Sequence, residues 1–218
     1  MSFSSSSEDE SPDIFPPSAP GDQPLDITWA KTNPDLDAED GALLIGLSGL
    51  PGARFRRKEV ARNLKDDLDL IVKEKVAHVF CLVTSRELRQ FKVKRLVEAF
   101  GRVGLAYTHF PVEDGLVPGM EDLLTVLDSA RELVEAGKRI LVCCFGGFGR
   151  TGLFVAALQM TLNEAVTPER AIEYLRSVRG PRTIQSVKQY NFLMEFRAER
   201  ERALGEIAKD DLSEEVSR

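Results

Sequence analysis

Two adjacent cysteines, Cys143 and Cys144, stand before Gly146, Gly147, Gly149, Arg150 and Thr151 in the stretch LVCCFGGFGRTGLF. A cysteine attacks or binds as its thiolate, and positive surroundings lower the cost of forming one. Glycines allow a loop to curl until successive backbone N–H groups face one point, an anion site when a helix starts there. An arginine adds a planar fork able to hold two oxygens of one phosphate. The combination predicts a phosphate cradle, residues 145–150, around a thiolate at Cys144. A bare Cys-x5-Arg spacing says little by itself. Three glycines between an apolar strand and an apolar helix say more, because an ordinary buried turn has no use for all of them.

Phosphoryl transfer to sulfur also needs an acid, since an alkoxide or phenoxide leaves poorly without a proton. The segment FPVEDGLVPG offers Asp114, with Glu113 as its neighbouring rival, although on composition alone EDG is more often just a solvated turn.

Strand and helix patterns alternate around these residues. ALLIGLS (Ala42–Ser48) is an apolar run stopped by GLPG, and VAHVFCLVT (Val76–Thr84) is apolar enough for a buried central strand. Between them KEVARNLKDDLDLIVKE places Val60, Leu64, Leu68 and Ile71 or Val72 at helical spacing. VKRLVEAFGRVG predicts a short helix, LAYTHFPV a strand, EDLLTVLDSARELVEAG an amphipathic helix and RILVCC the last strand. TGLFVAALQMTL continues as a helix. The next one, TPERAIEYLRSVRG, is capped by Thr167, has Pro168 at its first position and stops at Gly180. A long helix follows from about Ser186, with Tyr190, Leu193 and Phe196 or Arg197 as its inward stripe. The pattern predicts an α/β fold, a mostly parallel sheet flanked by helices. In such sheets ligands sit beyond the carboxyl ends of the strands, where the cysteine loop falls.

Composition narrows the function. The net charge of −6 argues against a general nucleic-acid binder, and no apolar stretch is long enough to span a membrane. Three cysteines cannot build a disulfide framework, and two histidines without a CxxC make a zinc site a poor fit. Free thiols and a reducing compartment are expected: cytoplasm, nucleus or perinuclear region. Residues 1–24 are rich in Ser, Pro and acids and predict a disordered tail. SSSSEDE reads as a solubilising segment, though acidic residues after serines also suit acidophilic kinases. The folded domain is expected over 25–206, and 207–218 as an acidic tail into which the last helix frays.

CFGGFGRTG resembles the phosphate-binding loop of the cysteine-dependent protein phosphatases. ITWA, GLPGARF, VARNLKDD, HFPVEDG, AIEYLRSVRG and IQSVKQYNFLMEF resemble, in order, segments of the kinase-associated phosphatase family, across Asp26–Phe196. The resemblance implies a dual-specificity phosphatase fold and hydrolysis of phosphothreonine, phosphoserine and phosphotyrosine through a phosphocysteine, with no metal or other cofactor. It implies Cys144 as nucleophile, Arg150 as phosphate ligand, Asp114 as the acid, and Thr151 as a hydroxyl that helps the sulfur leave. Phe145, Gly146, Gly147, Phe148 and Gly149 complete the phosphate loop. Thr151 is equally readable as a helix cap, Phe145 and Phe148 as packing residues, and Gln185 and Gln189 as orienters of water or substrate or as plain surface residues.

The implied partner is a cyclin-dependent kinase phosphorylated in its activation segment, met by a monomer. The last helix is a candidate docking surface, unless its apolar stripe simply packs on the domain. Phenylalanines stand in the loop where phosphoinositide phosphatases of the superfamily carry lysines, which disfavours a polyanionic lipid. Cys143 departs from the pattern, because a histidine usually precedes the nucleophile and organises the loop. A thiol bonds weakly, so slower chemistry is expected. Two other classes stay open: a pseudophosphatase that docks a kinase without turnover, and a sulfur-transfer or arsenate-reducing enzyme with Cys143 as resolving thiol.

Overall fold

The computed structural model describes residues 22–36 and 41–216, so the expected tail at 1–24 lies outside it except for its last three residues. Strand β1 (Ile27–Lys31) and β2 (Leu43–Ser48) pair antiparallel, and a small hairpin of β3 (Arg54–Phe55) and β4 (Val60–Ala61) follows. Helix α1 (Leu64–Lys73), β5 (Val76–Cys81), α2 (Ser85–Gln90), α3 (Leu96–Arg102) and β6 (Ala106–His109) come next. Helix α4 (Met120–Glu135), β7 (Arg139–Cys143), α5 (Gly149–Leu162), α6 (Pro168–Arg179) and α7 (Val187–Val216) complete the chain order.

The main sheet runs β1-β2-β7-β5-β6, parallel apart from β1. Strand β7 is its centre, and Ile140, Leu141, Val142 and Cys143 are all buried, as a strand covered on both faces requires. Its register sets Cys143 beside Ser48 of β2 and Cys81 of β5. The carboxyl ends of three strands therefore finish level, and their loops gather around residue 144.

Helix α5 has no polar face over most of its length. Every residue from Gly149 to Met160 is buried, with α4, α6 and α7 packed around it. Helix α6 starts and stops as its caps direct: the Thr167 side chain accepts from the Arg170 N–H, Pro168 opens it and Gly180 ends it.

Three expectations change. The helix expected from about Lys58 begins only at Leu64, because Asn63 caps it and Val60–Ala61 pair as strand β4 with Arg54–Phe55. Helix α2 was not expected at all. On α7 the inward stripe is Gln189, Leu193 and Phe196, at spacings of four and three, while Tyr190 is 38% exposed. The backbone of α7 is helical as far as Val216.

Candidate active site

The loop between β7 and α5 has the shape the glycines foretell. Gly147 sits at φ +72°, and a Cβ there would lie 2.4 Å from the backbone of Ser48, so no other residue fits. Its N–H donates to Cys144 Sγ at 3.3 Å. The loop carbonyls are drawn outward: Leu50 N–H donates to the Phe145 oxygen at 3.1 Å, and Arg179 Nε to the Gly147 oxygen at 3.1 Å. A loop whose carbonyls are held from behind presents its N–H groups to the centre. Cys144, the first residue after β7, opens the loop and is 3% exposed.

Arg150 is the largest fully buried side chain described. Glu87 takes both terminal nitrogens, Nη1 to Oε2 and Nη2 to Oε1, each at 2.7 Å. Nη1 also donates to the Val112 carbonyl at 2.8 Å, while Nε is buried with no partner. Burial opposes the charge on both groups. Their mutual hydrogen bonds outweigh it, raising Arg150 and holding the Glu87 carboxyl below its ordinary value. The guanidinium is thus fixed and charged, with Nε as its unoccupied donor.

Asp114 extends from the loop after β6, its Oδ1 3.2 Å from Arg150 Nη2 and its side chain 72% exposed. Glu113, the rival, is exposed in the groove beside it. The loop carrying Asp114 is fastened to the start of α7: Ser186 Oγ donates to the Gly115 carbonyl at 2.9 Å, and Gln189 Nε2 to that of Leu116 at 3.4 Å. Gln189 Oε1 accepts from the N–H groups of Gln185 and Ser186. Gln189 is therefore a buried tie between the two segments and not a surface residue. The Gln185 side-chain oxygen reaches the end of the β7–α5 loop, 2.9 Å from where a Cβ on Gly149 would stand.

Thr151 is the third residue of α5, whose N-cap is Phe148, so it does not cap the helix. Its Oγ1 is buried with no partner. Phe145 stacks on Phe91 at 4.0 Å and meets Phe55 edge-on, whereas Phe148 lies beneath the guanidinium groups of Arg179 and Arg182. Cys143 is fully buried. A hydrogen bond with the Cys81 thiol and burial push it well above the usual thiol range, so it stays protonated.

Sequence reasoning missed Glu87 and Arg179. Thr84-x-x-Glu87 is legible as a capping box, and the box forms, with Thr84 N–H donating to Glu87 Oε2 and Glu87 N–H to Thr84 Oγ1. Nothing local tells that the same carboxylate grips an arginine 63 positions on.

The profile of the cyclin-dependent kinase inhibitor 3 family matches residues 2–172. The chain is 32% identical to cyclin-dependent kinase inhibitor 3 of Rattus norvegicus over 195 residues, covering 89% of this chain and 88% of that protein. With the Homo sapiens protein the identity is 31% over the same share of each. Among solved structures, kinase-associated phosphatase with its catalytic-site cysteine replaced by serine superposes with a TM-score of 0.74 at 30% identity. That match covers 82% of this chain and 97% of the other, and it has the mostly parallel α/β fold described above.

Proposed function

Because the chain belongs to the cyclin-dependent kinase inhibitor 3 family, we propose that it is a protein phosphatase working through a phosphocysteine on phosphothreonine, phosphoserine and phosphotyrosine. One observation carries the reading: two polar atoms in the first turn of α5, just after the Cys144 loop, Arg150 Nε and Thr151 Oγ1, are buried without a partner. Such groups are costly unless a ligand completes them. A phosphoryl group bound over Cys144 gives Arg150 Nε an acceptor, and the sulfur gives Thr151 one.

The steps follow from the placement. The Cys144 thiolate attacks phosphorus, forming S–P as P–O breaks, and Asp114 gives its proton to the departing oxygen. Arg150 and the loop N–H groups bear the equatorial charge, so no step requires a metal. Asp114, now ionised, takes a proton from water as that water attacks the phosphocysteine. Thr151 Oγ–H donates to the sulfur as it leaves, and inorganic phosphate departs.

The substrate is the activation-segment phosphothreonine of a cyclin-dependent kinase, which ties the protein to cell-cycle control in the cytoplasm or nucleus. Val187, Tyr190 and Met194 form an exposed apolar stripe along α7, at spacings of three and four, and supply a docking face outside the site. The buried Cys143, where the pattern has histidine, is the observation favouring a second reading, a docking protein without turnover.

The test is phosphate release, without added metal, from a kinase phosphorylated on its activation-segment threonine, by wild type and Cys144→Ser. Release by the wild type alone supports the enzyme. No release by either, with the kinase still bound, supports the docking protein.

A further inference from the structure

The phosphate loop separates two flanks of opposite character. On one side, Phe148 lies beneath Arg179 and Arg182, at 4.9 and 4.8 Å from its ring centre. Arg179 is nearly buried, its Nη1 donating to Asp26 and to Thr28 Oγ1 of β1, so it serves as a strut. Arg182 is exposed, with its guanidinium over the Phe148 ring. Its guanidinium is thus held over the rim with its donors toward solvent.

On the other side a groove of about 340 Å³ opens between Phe55, Phe91 and Phe145 as one wall and the loop bearing Glu113 and Asp114. Arg86 stands at its rim as an opposing charge. Glu87, also in the groove, is already neutralised by Arg150. Glu113 is therefore the exposed carboxylate available to a ligand alongside the acid Asp114.

The sheet order explains why the flanks are opposite. Arg179 rests against β1, at one edge, and Glu113 follows β6, at the other, with the β7 loop between them. A phosphopeptide crossing the loop spans both.

Resting on the phosphatase reading, we propose that the site selects phosphothreonine segments whose two flanks carry opposite charges. The groove takes an arginine or lysine, its stem along Phe55 and Phe145 and its head at Glu113. Arg182 takes an aspartate or glutamate on the other flank. An aromatic wall with a carboxylate at its edge suits a long cationic side chain, and a guanidinium pinned on a ring meets a carboxylate with little loss of freedom.

The test is peptide binding to Cys144→Ser, with turnover by the wild type measured on the same peptides. Three phosphothreonine peptides are compared: arginine before and glutamate after, the reverse order, and alanine at both places. One charged order is expected to bind about fivefold tighter than the other two, the size typical of exposed pairs. Arg182→Glu is expected to turn preference for an acidic flank into avoidance, and Glu113→Gln to remove preference for the basic flank alone. Equal binding of all three peptides, within about twofold, overturns the proposal whether or not they are hydrolysed. Order preference in binding without hydrolysis by the wild type keeps the proposal and removes the phosphatase reading instead.

Discussion

Glu87 grips Arg150 through both oxygens at 2.7 Å and so decides which edge of the guanidinium is left for a ligand. The Nη1–Nη2 edge is consumed, and Nε remains without a partner. Glu87→Gln keeps the capping box of α2, because glutamine also serves at the third helical position. It removes the charge, leaving the buried guanidinium with only the exposed Asp114 as counter-ion. The expected outcome is a loss of about 3 kcal/mol in stability by urea unfolding and of at least about tenfold in kcat/KM. A variant as stable and as active as the wild type would show that the pair does not orient Arg150.

The acid is tested through the leaving group. A phosphothreonine alkoxide needs a proton, while para-nitrophenolate leaves readily without one. Asp114→Asn is expected to lower kcat on a phosphothreonine peptide by about 10²–10⁴-fold and on para-nitrophenyl phosphate much less. Equal losses on both substrates would reassign Asp114 to binding, with Glu113 the next residue to substitute.

Thr151→Ala separates chemistry from stability. The hydroxyl caps nothing and has no partner, so its removal leaves the melting temperature unchanged or slightly raised. Slower loss of sulfur from phosphocysteine is expected to produce a burst of released nitrophenol followed by a reduced steady rate. Thr151→Ser should abolish the burst. A variant lacking the burst at unchanged steady rate rules out the assigned role.

Behind the loop, Asp67 accepts from Leu25 N–H at 3.1 Å and Gly52 N–H at 2.8 Å, and burial pushes its carboxyl up to about 6 despite those bonds. A raised carboxyl pKa means that the folded chain holds the proton more tightly than the unfolded one. Its contribution is therefore fully present below about 4 and is lost as pH rises through about 6, an amount of about 3 kcal/mol. Asp67→Asn removes that dependence. Urea unfolding at pH 4 and pH 7 checks it, the wild type losing stability relative to the variant on the way up. A difference independent of pH would place the carboxyl at its ordinary value.

Much of the site was legible because its logic is local. Cys144, the glycines and Arg150 lie within seven residues, and a glycine between an apolar strand and helix carries its reason with it: Gly147 indeed occupies positive φ against Ser48. Caps such as Thr167 and Pro168 are local too, and α6 obeys them. Where reading failed, the cause was a partner far along the chain. Val60 has helical spacing to Leu64, yet it pairs with Phe55, since Asn63 starts the helix after it. Tyr190 and Gln189 exchanged places for a similar reason: the carbonyl of Leu116 awaits a donor, and burying Gln189 supplies it.

By itself the sequence determined the chemistry on offer, because a thiol, a curled loop and a guanidinium acquire their roles from residues within one turn of chain. The tertiary structure alone decided how that chemistry is aimed. Glu87, 63 positions before Arg150, sets its free edge; Arg179 turns a loop carbonyl outward; Ser186 and Gln189 moor the loop that carries Asp114. These contacts join separate strands and helices, and parallel strands with long crossovers bring together residues that no spacing rule connects.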